Sequence, residues 1–211
     1  MIIVFAKAPV PGEAKTRLAP RLGAWRAARL HARLTLQALR TARAANCGPV
    51  ELHATRRHAL FKGAALQRGR DLGERMRRAL EAALRRHAFA ILIGADCPEL
   101  TPADLRRAAR WLRGGCDAVL APAEDGGYAL IALRRSRAEL FEDIDWGGTN
   151  VYAQTVKKLA GYRWRALRTV WDVDRPEDLG RVRWLRLPSA SARGALRLRG
   201  NRARWGGSDR P

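Results

Sequence analysis

Long apolar runs are missing from this chain of 211 residues. None approaches the ~20 apolar residues of a membrane-spanning helix, so no such span is expected. The opening "MIIVFAKAP" has no basic lead, and its apolar run falls short of the roughly 7–15 residues of a secretory signal. Cysteine is scarce as well. Cys47, Cys97 and Cys116 are odd in number and none is spaced C-x-x-C, which argues against a disulfide framework and against a zinc site. A reducing, cytoplasmic setting is the expectation. His31, His53, His58 and His87 form no ligand pair by spacing and read as core or surface residues. Aromatics make up only 7%.

Acidic residues are outnumbered two to one, 20 against 41 basic, for a net charge of +21. Almost all of the excess is arginine. The lysines are Lys7, Lys15, Lys62, Lys157 and Lys158. On the helical pattern after residue 24, Arg26, Arg29, Arg33, Arg40 and Arg43 share a face about 100° wide. Such a stripe is either a solvated surface or a nucleic-acid footprint. No helix-turn-helix, zinc finger or RNA-recognition signature accompanies it. A nucleic-acid-binding module is therefore the reading from another class, and specific nucleic-acid binding is not expected.

The apolar fraction, 47%, suffices for one core. "MIIVFA", "VELHAT" (50–55), "FAILIGAD" (89–96), "DAVLAP" (117–122) and "YALIAL" (128–133) read as strands, and "RWRALRTVWDV" contains a last one. Helices are expected over 24–45, 71–87, 101–112 and 149–161, and over "RPEDLGRVRWL", where Pro176 stands near the start. Thr101, Pro102 and Asp104 form a capping box with proline in the first turn. Strands alternating with helices mean a mainly parallel α/β sheet, whose ligands bind beyond the carboxyl ends of the strands. The domain is expected over residues 1–187. From Pro188 the composition turns to Ser, Gly, Arg and Ala, with six arginines and one aspartate, which predicts a basic disordered tail over 188–211.

Four places at that sheet edge carry chemistry. In "FAKAPVPGEAKTRL" (5–18), Pro9 and Pro11 stiffen a turn that brings Lys7, Lys15 and Arg17 together with Gly12 and Thr16. Ala14 stands where a Walker motif needs glycine, so this is no P-loop. A strand-to-helix connection nonetheless offers free N–H groups, a helix dipole and side-chain charge to a di- or triphosphate. In "IGADCPEL", an apolar strand delivers Asp96, which suits Mg²⁺ or Mn²⁺ held by one or two carboxylates and phosphate oxygens. Cys97 reads as buried rather than nucleophilic. "AEDGGYALI" places Gly126 and Gly127 where a backbone can approach a ligand closely, with Glu124 and Asp125 candidate bases by position. "WDVDRPEDL" supplies Asp172 and Asp174, either a second metal ligand or a helix cap.

"FAKAPVPGEAKTRL", "RDLGERM", "LIGADCPEL", "DGGYALIAL" and "DVDRPEDL", in this order over roughly residues 1–186, resemble the small transferases associated with arsenosugar-biosynthesis radical-SAM and selenodomain proteins. These belong to the GT-A nucleotide-diphospho-sugar transferase superfamily. The first loop is also similar to that of 2-phospholactate guanylyltransferase. The resemblance implies a GT-A, Rossmann-like three-layer sandwich with a mainly parallel mixed sheet, and Mg²⁺ or Mn²⁺ at Asp96. It implies a nucleotide or sugar-nucleotide donor and a small-molecule acceptor. It places Gln67 and Arg75 with the first loop at the nucleotide, and Asp125, Gly126, Gly127, Tyr128 and Trp146 at the substrate. Lys15, Arg17 and Asp96 would carry catalysis, by glycosyl transfer from a sugar nucleotide or, alternatively, by nucleotidyl transfer that expels pyrophosphate. The chain departs from the family pattern at Trp146-Gly147-Gly148.

Overall fold

The computed structural model describes residues 1–182, and the expected tail lies outside them. In chain order the elements are β1 (Ile2–Ala6), α1 (Ala19–Leu22), α2 (Ala24–Ala45), β2 (Val50–Ala54), β3 (Ala65–Leu66), α3 (Leu72–Leu84), β4 (Ala90–Gly94), α4 (Pro102–Arg113), β5 (Ala118–Pro122), β6 (Tyr128–Leu133), α5 (Val151–Lys158) and β7 (Trp164–Ala166). The strands form one sheet, ordered β3-β2-β1-β4-β6-β5-β7. Only β6 runs against its neighbours: β4–β6 and β5–β6 are antiparallel and the other pairs parallel. The mainly parallel α/β sheet is what the alternation of patterns predicts, and its mixed character is what the resemblance implies.

The central strands are apolar on both faces because both faces are covered. Ile2, Val4, Ile91, Ile93 and Val119 meet α2 and α4 in one core layer. Ile3, Phe5, Leu92, Leu120 and Ile131 meet α3 and the segment before α5 in the other. Ile2, Ile3 and Val4 are fully buried, each worth roughly 1.5–3 kcal/mol over exposure. All three cysteines are buried.

The helices end where local chemistry ends them. Asn46, past the last turn of α2, takes the left-handed conformation and its N–H reaches Arg43 O. Asp71 caps α3 by accepting from Glu74 N. The Thr101–Asp104 capping box is formed as expected. The last strand lies where expected, within "RWRALRTVWDV", as the three residues of β7 with a single further bridge from Val170 to Ala123. One expectation needs correction. The helix expected over "RPEDLGRVRWL" winds as a 3-10 turn over Pro176–Val182, and its last three residues lie outside the described ones. Proline and Gly180 leave too few good helix formers in seven residues to nucleate one. Of the two roles left open for Asp174, its carboxylate pairs with Lys15 and Arg17, while Asp178 accepts from Asp174 N and Arg175 N ahead of the turn.

Candidate functional site

At the carboxyl edge of β1 and β4 the chain turns away on both strands and leaves a cavity of about 550 Å³. Its apolar half is the upper end of a core layer, with Phe5, Met76, Leu92 and Ile131 in its wall. Its polar half is the first loop and the segment after β7.

The first loop is fixed from both sides. Ala8 N donates to Thr55 Oγ1, just past β2, at 3.0 Å, and His31 Nε2 on α2 donates to Lys7 O at 2.9 Å. Gly12 turns the loop with φ of +85°. Lys15 then takes the left-handed conformation, φ 52°, without being glycine. That backbone sends its side chain inward. The ammonium, 4% exposed, lies 2.8 Å from Asp96 Oδ2 and 3.6 Å from Asp174 Oδ1, and Arg17 pairs with the other oxygen of Asp174. Gly94 makes room for Asp96, since a Cβ there would lie 3.0 Å from Oδ1. Val173 N donates to Asp96 O at 2.9 Å and so ties the two acidic segments together.

One expectation about the loop fails. The elements that follow Lys15 are a three-residue 3-10 turn and the four-residue α1, while the long α2 starts only at Ala24. So short a helix adds little dipole. An anion here would meet side-chain charge instead.

Electrostatics mark the same place. Burial opposes ionisation of Asp96, but the charge and hydrogen bond of Lys15 outweigh it and hold the carboxyl at about 2. Burial opposes the Lys15 charge too, and Asp96 reverses this, so its pKa is raised. Asp172 is pushed up to about 6, by burial first and then by the charges of Asp96 and Asp125. Negative charge is thus crowded around Asp96. Among the described residues no three acidic, histidine or cysteine side chains converge as a closed metal cage. Two carboxylates already sharing one cationic group do fit a divalent ion that takes its remaining ligands from phosphate and water.

Lys7, Lys15, Thr16, Arg17, Gln67, Arg75, Asp96, Tyr128 and Asp174 line the cavity. Pro9, Gly12, Asp125, Gly126, Gly127, Trp146 and Asp172 do not. Gln67 gives its amide hydrogens to Ala6 O and His53 O at 3.0 and 2.9 Å, and Arg75 Nε donates to Gly69 O. Asp125 is spent on its own turn, accepting from Gly127 N, and Glu124 is paired with Arg181. Gly126 has φ of +89°, and a Cβ there would fall 1.7 Å from Thr149 O. Its small size serves packing against that loop. Trp146 stands behind the cavity wall, edge-on to Tyr128 and stacked on Phe141.

His31 is the cavity residue that spacing did not single out. It is 4% exposed, and burial, opposed by Asp96, lowers its pKa. With Nε2–H committed to Lys7 O, Nδ1 is an acceptor, buried and without a hydrogen-bond partner. The signal was there: His31 sits within the apolar stripe of α2 beside Ala27, Ala28 and Leu34, where a polar ring needs a reason.

A family model described as an uncharacterized protein conserved in bacteria, DUF2064, matches residues 28–148. A solved structure of a candidate nucleotide-diphospho-sugar transferase from Desulfovibrio desulfuricans is 30% identical, with a TM-score of 0.80 over 92% of this chain and 90% of that one. The manganese complex of Rv0371c from Mycobacterium tuberculosis is 20% identical, with a TM-score of 0.52 over 86% of this chain and 96% of that one. A CMP:2-keto-3-deoxy-manno-octonic acid synthetase complexed with CTP is 14% identical, with a TM-score of 0.55 over 88% and 97%. The last two likenesses are of fold. No curated protein matches the chain by sequence.

Proposed function

The chain belongs to the bacterial DUF2064 family, and we propose that it is a cation-dependent transferase using a nucleotide-activated donor, with a sugar nucleotide as the donor and a small molecule as the acceptor. A nucleotide-dependent transferase is the class its fold relatives share. The finer reading includes kinship with the arsenosugar-associated transferases, supported by the order of the five motifs along residues 1–186.

The observation that carries the proposal is the convergence of Lys15, Arg17, Asp96 and Asp174 at one end of a cavity whose other end is apolar. Lys7, Arg17 and Arg75 would hold the phosphates. Gln67 would sit beside the base, and Tyr128 on the acceptor side, with Trp146 behind it. Mg²⁺ or Mn²⁺ fits at Asp96 and Asp174, with Asp172 as a neighbouring charge, and when bound supplies charge stabilisation to the leaving phosphate. Arg17 adds to that stabilisation, as does Lys15 once its ammonium turns to the phosphate, and charge aimed at the leaving group is usually the largest catalytic term.

The charge of the lining favours a second reading. Lys7, Lys15, Arg17 and Arg75 face only Asp96 and Asp174, and a surplus of cations beyond the metal suits a triphosphate and nucleotidyl transfer. A product assay separates the two. With Mg²⁺, nucleoside diphosphate released from a sugar nucleotide supports glycosyl transfer. Pyrophosphate released from a nucleoside triphosphate, with no sugar nucleotide consumed, replaces it by the second reading.

A further inference from the structure

We propose that Lys15 is the built-in occupant of the cation site: in the ligand-free chain its ammonium joins Asp96 to Asp174, and a divalent cation enters between these carboxylates only as the ammonium leaves. The inference rests on the reading that Asp96 and Asp174 serve a divalent cation.

The geometry carries it. The ammonium lies 2.8 Å from one carboxylate and 3.6 Å from the other, and the Lys15 side chain is 4% exposed while those of Asp96 and Asp174 are 40% and 32% exposed. The lysine, not the acids, fills the interior of the site. A Mg²⁺ ion needs its oxygens at about 2.0–2.1 Å. An ion bridging the same two carboxylate oxygens would take the place that the ammonium holds, and repulsion between the two cations adds to the exclusion. Lys15 holds this place from a left-handed backbone that a non-glycine residue adopts only when its surroundings enforce it.

Displacement needs a destination for the ammonium, and the cavity provides one when it holds phosphate. Lys7 and Arg17 already line the same wall, so a polyphosphate there draws Lys15 off the carboxylates and opens the cation site. Nucleotide and cation then bind with positive coupling, each raising the affinity for the other by the same factor. The cation alone binds weakly, because it has to expel the lysine with nothing to receive it.

The test uses Mn²⁺ alone, with no nucleotide. Free Mn²⁺ is followed by electron paramagnetic resonance during titration of the full-length protein, its Lys15→Met variant and its Lys15→Arg variant. Methionine removes the charge and is expected to tighten Mn²⁺ binding at least tenfold, whereas arginine keeps wild-type affinity. Equal or weaker binding by a folded Lys15→Met protein overturns the proposal, since the cation then approaches Asp96 from its open side. A second measurement needs no variant. In the wild type, Mn²⁺ at a concentration that the titration shows to fill the site is expected to raise the acylation of Lys15 relative to the exposed Lys62, read by mass spectrometry, and an unchanged ratio at that occupancy overturns the proposal. If Lys15→Met gains Mn²⁺ affinity but no nucleotide binds, the functional reading fails and this inference stands. If nucleotides bind and Lys15→Met gains nothing, the reverse holds.

Discussion

The indole of Trp146 fills the space that a side chain on residue 73 would need: a Cβ on Gly73 would lie 2.2 Å from Trp146 Nε1. Gly73 is in the first turn of α3, next to Leu72 and two residues before Arg75, both on the cavity wall. Gly73→Ala therefore has to expel the indole from between Tyr128 and Phe141. We expect a loss of about 1–3 kcal/mol in urea unfolding, as for overpacking elsewhere, with a parallel loss of nucleotide affinity because the α3 end of the cavity shifts. Unchanged stability would show that the indole moves freely.

Gly12 and Gly126 form a matched pair for separating strain from collision. Both have positive φ, +85° and +89°, but a Cβ on Gly12 meets nothing within 4 Å and one on Gly126 meets backbone at 1.7 Å. Alanine at 12 is expected to cost about 1 kcal/mol, the left-handed penalty alone. Alanine at 126 is expected to cost at least ~2 kcal/mol more, because a backbone oxygen cannot rotate away. Equal melting temperatures for the two variants would contradict this.

Turnover tests the cations and the acid separately. Lys15→Ala is expected to lower kcat on the order of 10²-fold, ~3 kcal/mol of transition-state stabilisation. Asp96→Ala is expected to remove cation-dependent turnover altogether. Steady-state kinetics over a Mg²⁺ series reads both effects. A Lys15→Ala enzyme with full kcat and only a raised KM would assign the lysine to ground-state binding instead.

The pH dependence of stability carries opposite signs at two neighbouring acids. Asp172, at about 6, binds its proton more tightly folded than unfolded, with an ordinary value of 3.8. The stability this gives is complete below about pH 4 and is lost as pH rises through 6. Asp96, at about 2, contributes stability above about pH 4 that is lost as pH falls through 2. Asp172→Asn is expected to be neutral at pH 4 and to stabilise by ~1 kcal/mol at pH 7.5. This is well under the ~3 kcal/mol of the whole shift, because the side chain is partly exposed to solvent. Urea midpoints at the two pH values check it, and a gain at pH 4 as large as at pH 7.5 would rule out titration as the cause.

Much of the fold was legible because burial on both faces writes itself into sequence. β1 and β4 are unbroken apolar runs, and the capping box at Thr101 is a local rule obeyed locally. The direction of β6 was not legible, since "YALIAL" has the same pattern whichever way it runs. Of the site, the basic first loop and Asp96 stood out because charge follows directly on a buried strand. The pairing of Lys15 with Asp96 did not, being set by one left-handed residue and by a contact 81 positions apart. Whether Asp174 caps or binds stayed open in the sequence, since only the path of the chain brings it to Lys15 and Arg17. His31 read as a core or surface residue and is buried, but its place on the cavity lies in what α2 packs against, not in its sequence neighbours.

The burial of every cysteine gives the protein a use as its own probe. Cys97 follows Asp96 directly, is 4% exposed, and burial pushes its thiol up to about 12. Alkylating reagents attack the thiolate, so Cys97 stays silent until the end of β4 opens to solvent. Its labelling rate under native conditions therefore times the opening of the segment that carries Asp96, and slower labelling in the presence of a ligand reports closure of that segment without a fluorophore or an engineered residue.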